Sequence, residues 1–216
     1  MSPLLVDKPE KEKAIARAAL RLFSNKGYAA TSVSQIARSA GIGKGTIYEY
    51  FETKEDLFLA AARLWMTLFE QEFASRIQEI ENPIECLKAL GERMTELVDP
   101  LDPAIARMSV EILRQGILKN GIISKRRHAM KNMMSGMRRL VEGILLDGIS
   151  KGIFKPEIAK DAEKIAINFL GYLDGIGLHS IMSDNHFDLA QQVDFFIQQL
   201  IDTILIQPIP NEPSST

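Results

Sequence analysis

Apolar residues recur along most of the chain at spacings of three and four, and nowhere do they alternate with a period of two over a useful length. The pattern predicts an all-α protein of about nine helices. From Glu10 to Lys26 the positions Ile15, Ala18, Ala19, Leu22 and Phe23 share one side of a helix, and Gly27 stands where a C-cap is needed. Ser32 can cap the next helix, with Gln35 three residues on to complete a capping box, so Val33 to Ala40 reads as helical with Ile36, Ala37 and Ala40 turned inward. Gly41 follows where the chain must take positive φ to leave that helix, and Ile42 is the apolar residue placed to fill the angle before another. The next run, KGTIYEYF from Lys44 to Phe51, sets Ile47 and Phe51 on the inner side at i, i+4. Lys44 and Tyr48 share the opposite side, flanked by Thr46 and Tyr50.

Thr53, with Asp56 at the third helical position, opens a longer helix whose apolar positions continue from Leu57 to Phe73. Asn82-Pro83 and Asp102-Pro103 each combine a cap with proline at the first helical position, predicting helices from Pro83 to Val98 and from Pro103 to about Leu118. One long helix is expected from about Ile123 to Lys151, ended by Gly152. Pro156 opens the next, to about Ser183, and Asp188 caps the last, from Leu189 to Ile206. Residues 1–8 read as a flexible leader, and the Pro- and Ser-rich residues 207–216 as a disordered tail.

The short element at Lys44 has no stability of its own, since helices under about 12 residues are marginal even in good helix formers. Gly45 costs about 1 kcal/mol against alanine inside a helix, so its missing side chain suits close backbone approach to something. The outward face offers lysine, hydroxyl and phenol groups, which fit phosphates and base edges.

Composition sharpens this. The formal net charge of the 216 residues is -2, yet between Lys13 and Tyr48 there are six basic residues and no Asp or Glu, so the remainder carries -8. A basic patch on an acidic body is an electrostatic footprint for DNA. Cys86 is the only cysteine, which excludes an internal disulfide and suits a reducing compartment. No apolar run approaches the ~18 residues needed to span a bilayer and the N-terminus lacks a signal-peptide pattern, so the expectation is a cytoplasmic protein without a membrane partner. His128, His179 and His186 have no metal-ligand spacing, and there is no phosphate loop, nucleophile elbow or HExxH. No catalytic residue, metal or cofactor is expected. The run Lys125-Arg126-Arg127-His128 reads as a solvated face.

The stretch TSVSQIARSAGIGKGTIYEYFETKEDL, within residues 9–57, resembles the DNA-binding domain of the TetR/AcrR family of bacterial repressors. The shared pattern is a hydroxyl residue opening the second helix, Ile-Ala within it, Ala-Gly before the turn, and Gly-Thr-Ile-Tyr-x-Tyr-Phe followed by Lys-Glu. The resemblance implies a three-helix DNA-binding domain over 9–57, with its helix-turn-helix at 33–52, and an effector-binding and dimerisation domain over 58–206. It puts Ser32, Ser34, Thr46, Tyr50 and Lys54 near the DNA backbone, and Lys44, Gly45 and Tyr48 near base edges. A phosphate would also relieve Lys54 of its unfavourable place in a helix first turn.

The last two helices are unusually apolar and suit a subunit interface: Gly171, Gly175 and Leu178 on one, Phe195, Phe196, Leu200 and Ile204 on the other. The resemblance implies a homodimer built on them and a palindromic operator in double-stranded DNA. It also implies a small hydrophobic effector. Trp65, Phe69, Met94, Met108 and Ile112 are candidate walls, as are Met133, Met137 and Phe169, with Tyr172, His179, Asp174 and Arg107 to orient it. Methionine and aromatic side chains at helical spacing are core more often than ligand wall. The function expected is a ligand-responsive transcriptional repressor. An activator with the same head, or a helical small-molecule-binding protein or enzyme with a vestigial head, are the alternatives.

Overall fold

The computed structural model describes residues 8–98, 103–183 and 186–206. Among them the chain forms ten α-helices and one 3-10 turn: α1 (Lys8–Ala30), α2 (Val33–Ser39), α3 (Lys44–Tyr48), α4 (Lys54–Ile77), α5 (Pro83–Val98), α6 (Pro103–Ile117), α7 (Ile122–Lys125), α8 (Arg127–Ser150), the turn Pro156–Asp161, α9 (Ala162–Met182) and α10 (Leu189–Ile204). The expected leader and tail lie outside the described residues, save Lys8, which begins α1.

Local caps form where the sequence calls for them. At α2 the Ser32 hydroxyl accepts from the Gln35 N–H at 3.3 Å, and the Gln35 side-chain carbonyl accepts from the Ser32 N–H at 2.8 Å. Asp188 caps α10 by accepting from the Gln191 N–H at 3.1 Å. Gly27 leaves the helical path where a C-cap is needed, at φ 74°, ψ 168°, so that α1 is two helical pieces joined at a kink, and the buried Thr31 hydroxyl donates to its carbonyl at 2.8 Å. That bond holds the last turn beyond the kink.

The long helix expected from Ile123 to Lys151 is in fact two. Arg126, at φ −122°, ψ 45°, separates α7 from α8. The cause is tertiary: buried Gln115 accepts from the Ile122 N–H at 3.2 Å and donates to Glu111 at 2.9 Å, while Ser124 donates to the Gly121 carbonyl at 2.8 Å. These bonds fix one isolated turn, and a hydrophobic period does not register them. Pro156–Met182 holds an 18-residue window with a mean hydropathy of 1.2, long and apolar enough to cross a membrane by length and composition alone, a test that the core helix of a globular protein also passes. Its α9 is two-sided, with Phe169, Leu173, Gly177 and Ser180 buried and Gly171, Asp174 and Gly175 exposed.

The chain forms two compact units, one of Met1–Gln71 with Asp99–Met134 and one of Glu72–Val98 with Ser135–Thr216. The expected boundary at residue 57 thus falls inside α4. In the first unit α1 packs on α2 and on α6, and Ile15, Phe23, Ile36, Ile47, Phe58 and Met108 close one apolar core. In the second, α5 packs on α9 and α10, with Leu87, Leu90, Val193 and Ile197 buried. Gly91 lets α10 approach, since a Cβ there would strike Ile197.

Candidate nucleic-acid interface

α2 and α3 form a corner whose inner side is closed and whose outer side is polar. Gly41 makes the turn at φ 69°. Ile47 is fully buried and Phe51 nearly so, which is what holds a five-residue helix in place. The expected eight-residue helix is shorter because its last turn tightens, with the Glu49 N–H on the Thr46 carbonyl at 3.2 Å and the Tyr50 N–H on that of Ile47 at 3.1 Å.

Ser32, Ser34, Lys44, Gly45 and Tyr48 are exposed on this corner, and Thr46, Tyr50 and Lys54 are half-buried beside it. Tyr48 is 47% exposed, large for a phenol on a well-packed domain. No atom of the protein outside the local backbone lies within 4 Å of where a Gly45 Cβ would stand, so internal packing does not account for that glycine. The open side faces solvent. Lys44 holds its ammonium 6.0 Å from the Tyr48 ring centroid.

The first turn of α4 adjoins this corner. The Thr53 N–H and hydroxyl donate to the Asp56 carboxylate at 3.0 and 2.6 Å, and the Asp56 N–H returns to the hydroxyl at 3.1 Å. Arg126, seventy positions along, adds an ion pair to Asp56 at 2.7 Å. The Thr53 hydroxyl and, after it, Arg126 hold the Asp56 carboxyl below the usual carboxylate range. Lys54 places its ammonium 4.2 Å from the centroid of Tyr28, and desolvation lowers it from the ordinary lysine value. Sequence reasoning missed Tyr28 and Arg126. The first follows a helix end without periodic signal, and the second lay in a basic run read as solvated.

The other expected residues are scattered. Trp65 and Phe69 stack with centroids 5.3 Å apart in the first unit, where Met108 is fully buried and Ile112 packs against the core. Met137 and Phe169 are buried in the second unit. Met94 and Met133 lie outside the residues whose side chains are described. Tyr172 is engaged by α10, stacked on Phe196 at 3.8 Å and donating to the Gln192 carbonyl at 3.1 Å, while His179 is exposed. Asp174 and Arg107 are also exposed, and desolvation raises Asp174 from the ordinary carboxylate value. Of the interface candidates, Gly171, Gly175 and Phe195 are exposed, Leu178, Phe196 and Leu200 are half-buried, and Ile204 is only 2% exposed because it packs inside its own chain.

Comparison with known proteins gives this geometry a family. Residues 15–61 match the family described as bacterial regulatory proteins, tetR family, and residues 65–203 match the YsiA-like protein, C-terminal region. The fatty acid metabolism regulator protein of Bacillus subtilis (strain 168) is 25% identical over 198 residues, 91% of this chain and 97% of that one. The HTH-type transcriptional regulator AcrR of Shigella flexneri is 24% identical over 214 residues, 95% and 94% of the two chains. Among solved structures, FadR from Bacillus subtilis in complex with stearoyl-CoA superposes with a TM-score of 0.68 at 26% identity, covering 88% of this chain and 97% of that one. The corner of α2 and α3 is therefore a helix-turn-helix head, and the chain belongs to the TetR family of DNA-binding transcriptional regulators.

Proposed function

We propose that this regulator is a homodimeric repressor that occupies a palindromic operator and leaves it when its helical body binds a long-chain acyl-CoA. The observation that carries the effector class is the match of residues 65–203 to the YsiA-like C-terminal region, together with a near full-length likeness to a relative named for fatty acid metabolism. The stearoyl-CoA in the solved FadR structure supports the same class.

Dimerisation is supported by an apolar exterior on the last two helices, where Ile167 and Ile181 of α9 and Phe195 of α10 are exposed. A two-fold dimer presents two heads to half-sites about 34 Å apart or a multiple of that, which favours a palindrome. On each half-site Lys44, Gly45 and Tyr48 meet base edges, and Ser32, Ser34, Thr46, Tyr50 and Lys54 meet the backbone. Release requires that the effector bind the DNA-free state better, since equal affinity for both states shifts nothing. The site of action is the cytoplasm.

Selection from a random duplex pool at fixed salt, followed by titration of the recovered duplex complex with acyl-CoAs of increasing chain length, tests this. Enrichment of a palindrome and release by long acyl-CoAs, but not by CoA alone, is the expected result. A palindrome that no acyl-CoA releases would overturn the effector class and leave DNA reading intact.

A further inference from the structure

We propose that Tyr28 is a positioning residue for DNA binding: its ring holds the Lys54 ammonium at the start of α4, ready to meet a backbone phosphate. The inference rests on the reading of Lys54 as a phosphate contact.

A lysine at the first position of a helix sits at the positive end of the helix dipole, where an ammonium is repelled by the exposed N–H groups. The residues around it would ordinarily supply a carboxylate. Glu55 and Asp56 follow in the same turn, but Asp56 is taken up by Thr53 and Arg126. The Lys54 ammonium lies over the face of Tyr28, 4.2 Å from its centroid.

That difference matters for a phosphate ligand. A carboxylate partner would neutralise the ammonium and have to be displaced by DNA. An aromatic face attracts the cation through its quadrupole yet leaves the full charge available to an arriving anion. Holding the side chain also lowers the rotamer entropy that binding must remove from a lysine.

The ring itself is fixed. Tyr28 packs against Phe23 with centroids 5.7 Å apart and edge-on to Phe58 at 5.5 Å, and both phenylalanines are fully buried. The kink at Gly27, tied by Thr31, delivers Tyr28 to that position. Burial, and secondarily Glu55, raises the phenol, so the ring stays neutral at physiological pH. The arrangement reads as a rigid aromatic plate that holds the ammonium above it.

The test uses the full chain, the duplex recovered by selection and a scrambled duplex of the same length, with affinity followed against salt. Tyr28→Phe should bind as the parent. Tyr28→Leu should bind both duplexes about three- to tenfold more weakly with an unchanged salt slope, because Lys54 still ends on its phosphate. Lys54→Ala should lower the slope by about one, and in that background Tyr28→Leu should add nothing.

Fluorinated phenylalanines at position 28, which keep the ring's bulk and weaken its face potential, should lower affinity stepwise only while Lys54 is present. This serves even where Tyr28→Leu fails to fold. An equal loss from fluorination with and without Lys54 would make Tyr28 purely structural and overturn the proposal. An unchanged slope in Lys54→Ala would overturn the phosphate reading of Lys54 instead, and the positioning role with it.

Discussion

The head and the last two helices solve opposite surface problems. At α2 and α3 a short, intrinsically weak segment is clamped by a closed core and turns polar groups outward, so that Tyr48 and Lys44 are exposed over a fully buried Ile47. On α9 and α10 the helices are long and well seated, yet they turn apolar groups outward, with Phe195 64% exposed. A polar surface over a rigid base suits a partner whose contacts are hydrogen bonds and charge. An apolar surface on a rigid base suits a second copy of the same chain.

The comparison can be broken from the head first. Ile47→Ala removes a fully buried side chain from the core that holds the corner in place, at a cost of about 2–5 kcal/mol. Urea unfolding should show that loss and DNA binding should vanish, while sedimentation still reports a dimer. Loss of both together would mean that the two regions are not separable. From the other side, Phe195→Asp should cost the dimer about 2 kcal/mol or more. The expected result is a folded monomer by circular dichroism and sedimentation, with weakened operator binding. A dimer of unchanged affinity would move the interface elsewhere.

Within the head, Lys44→Ala should cost about 1–3 kcal/mol and relax specificity at one base position, read by repeating the selection. A uniform loss on every sequence would make Lys44 a backbone contact. The smallest expected effect is at Asp56, whose folded pKa is depressed by the Thr53 hydroxyl and then by Arg126. Its contribution is therefore present at neutral pH, above its unfolded pKa of about 3.9, and is lost as pH falls through the lower folded value. Because the Arg126 side of the pair is well exposed, the effect should stay below about 1 kcal/mol. Urea unfolding of the parent and Asp56→Asn should differ at pH 7 and converge under acid.

The amino-acid sequence by itself determined the features that depend on neighbours within one or two turns. The boxes at Ser32 and Thr53, the cap at Asp188, the positive φ of Gly41 and the burial of Ile47 and Phe51 all follow from residue type and spacing of three or four. The polar outer face of α2 and α3 was legible for the same reason, since its positions are what remains when the buried stripe is taken away.

Tertiary structure alone decided the rest. The break at Arg126 comes from the bonds of buried Gln115 and of Ser124 around Gly121, Lys54 meets a ring from another helix, and Asp56 takes an arginine seventy positions away. Ile204 and Met108 show the same limit, because an apolar residue at helical spacing fits a core, an interface and a ligand wall alike. Which of these it becomes depends on the element packed against it, and the separations involved exceed any local period.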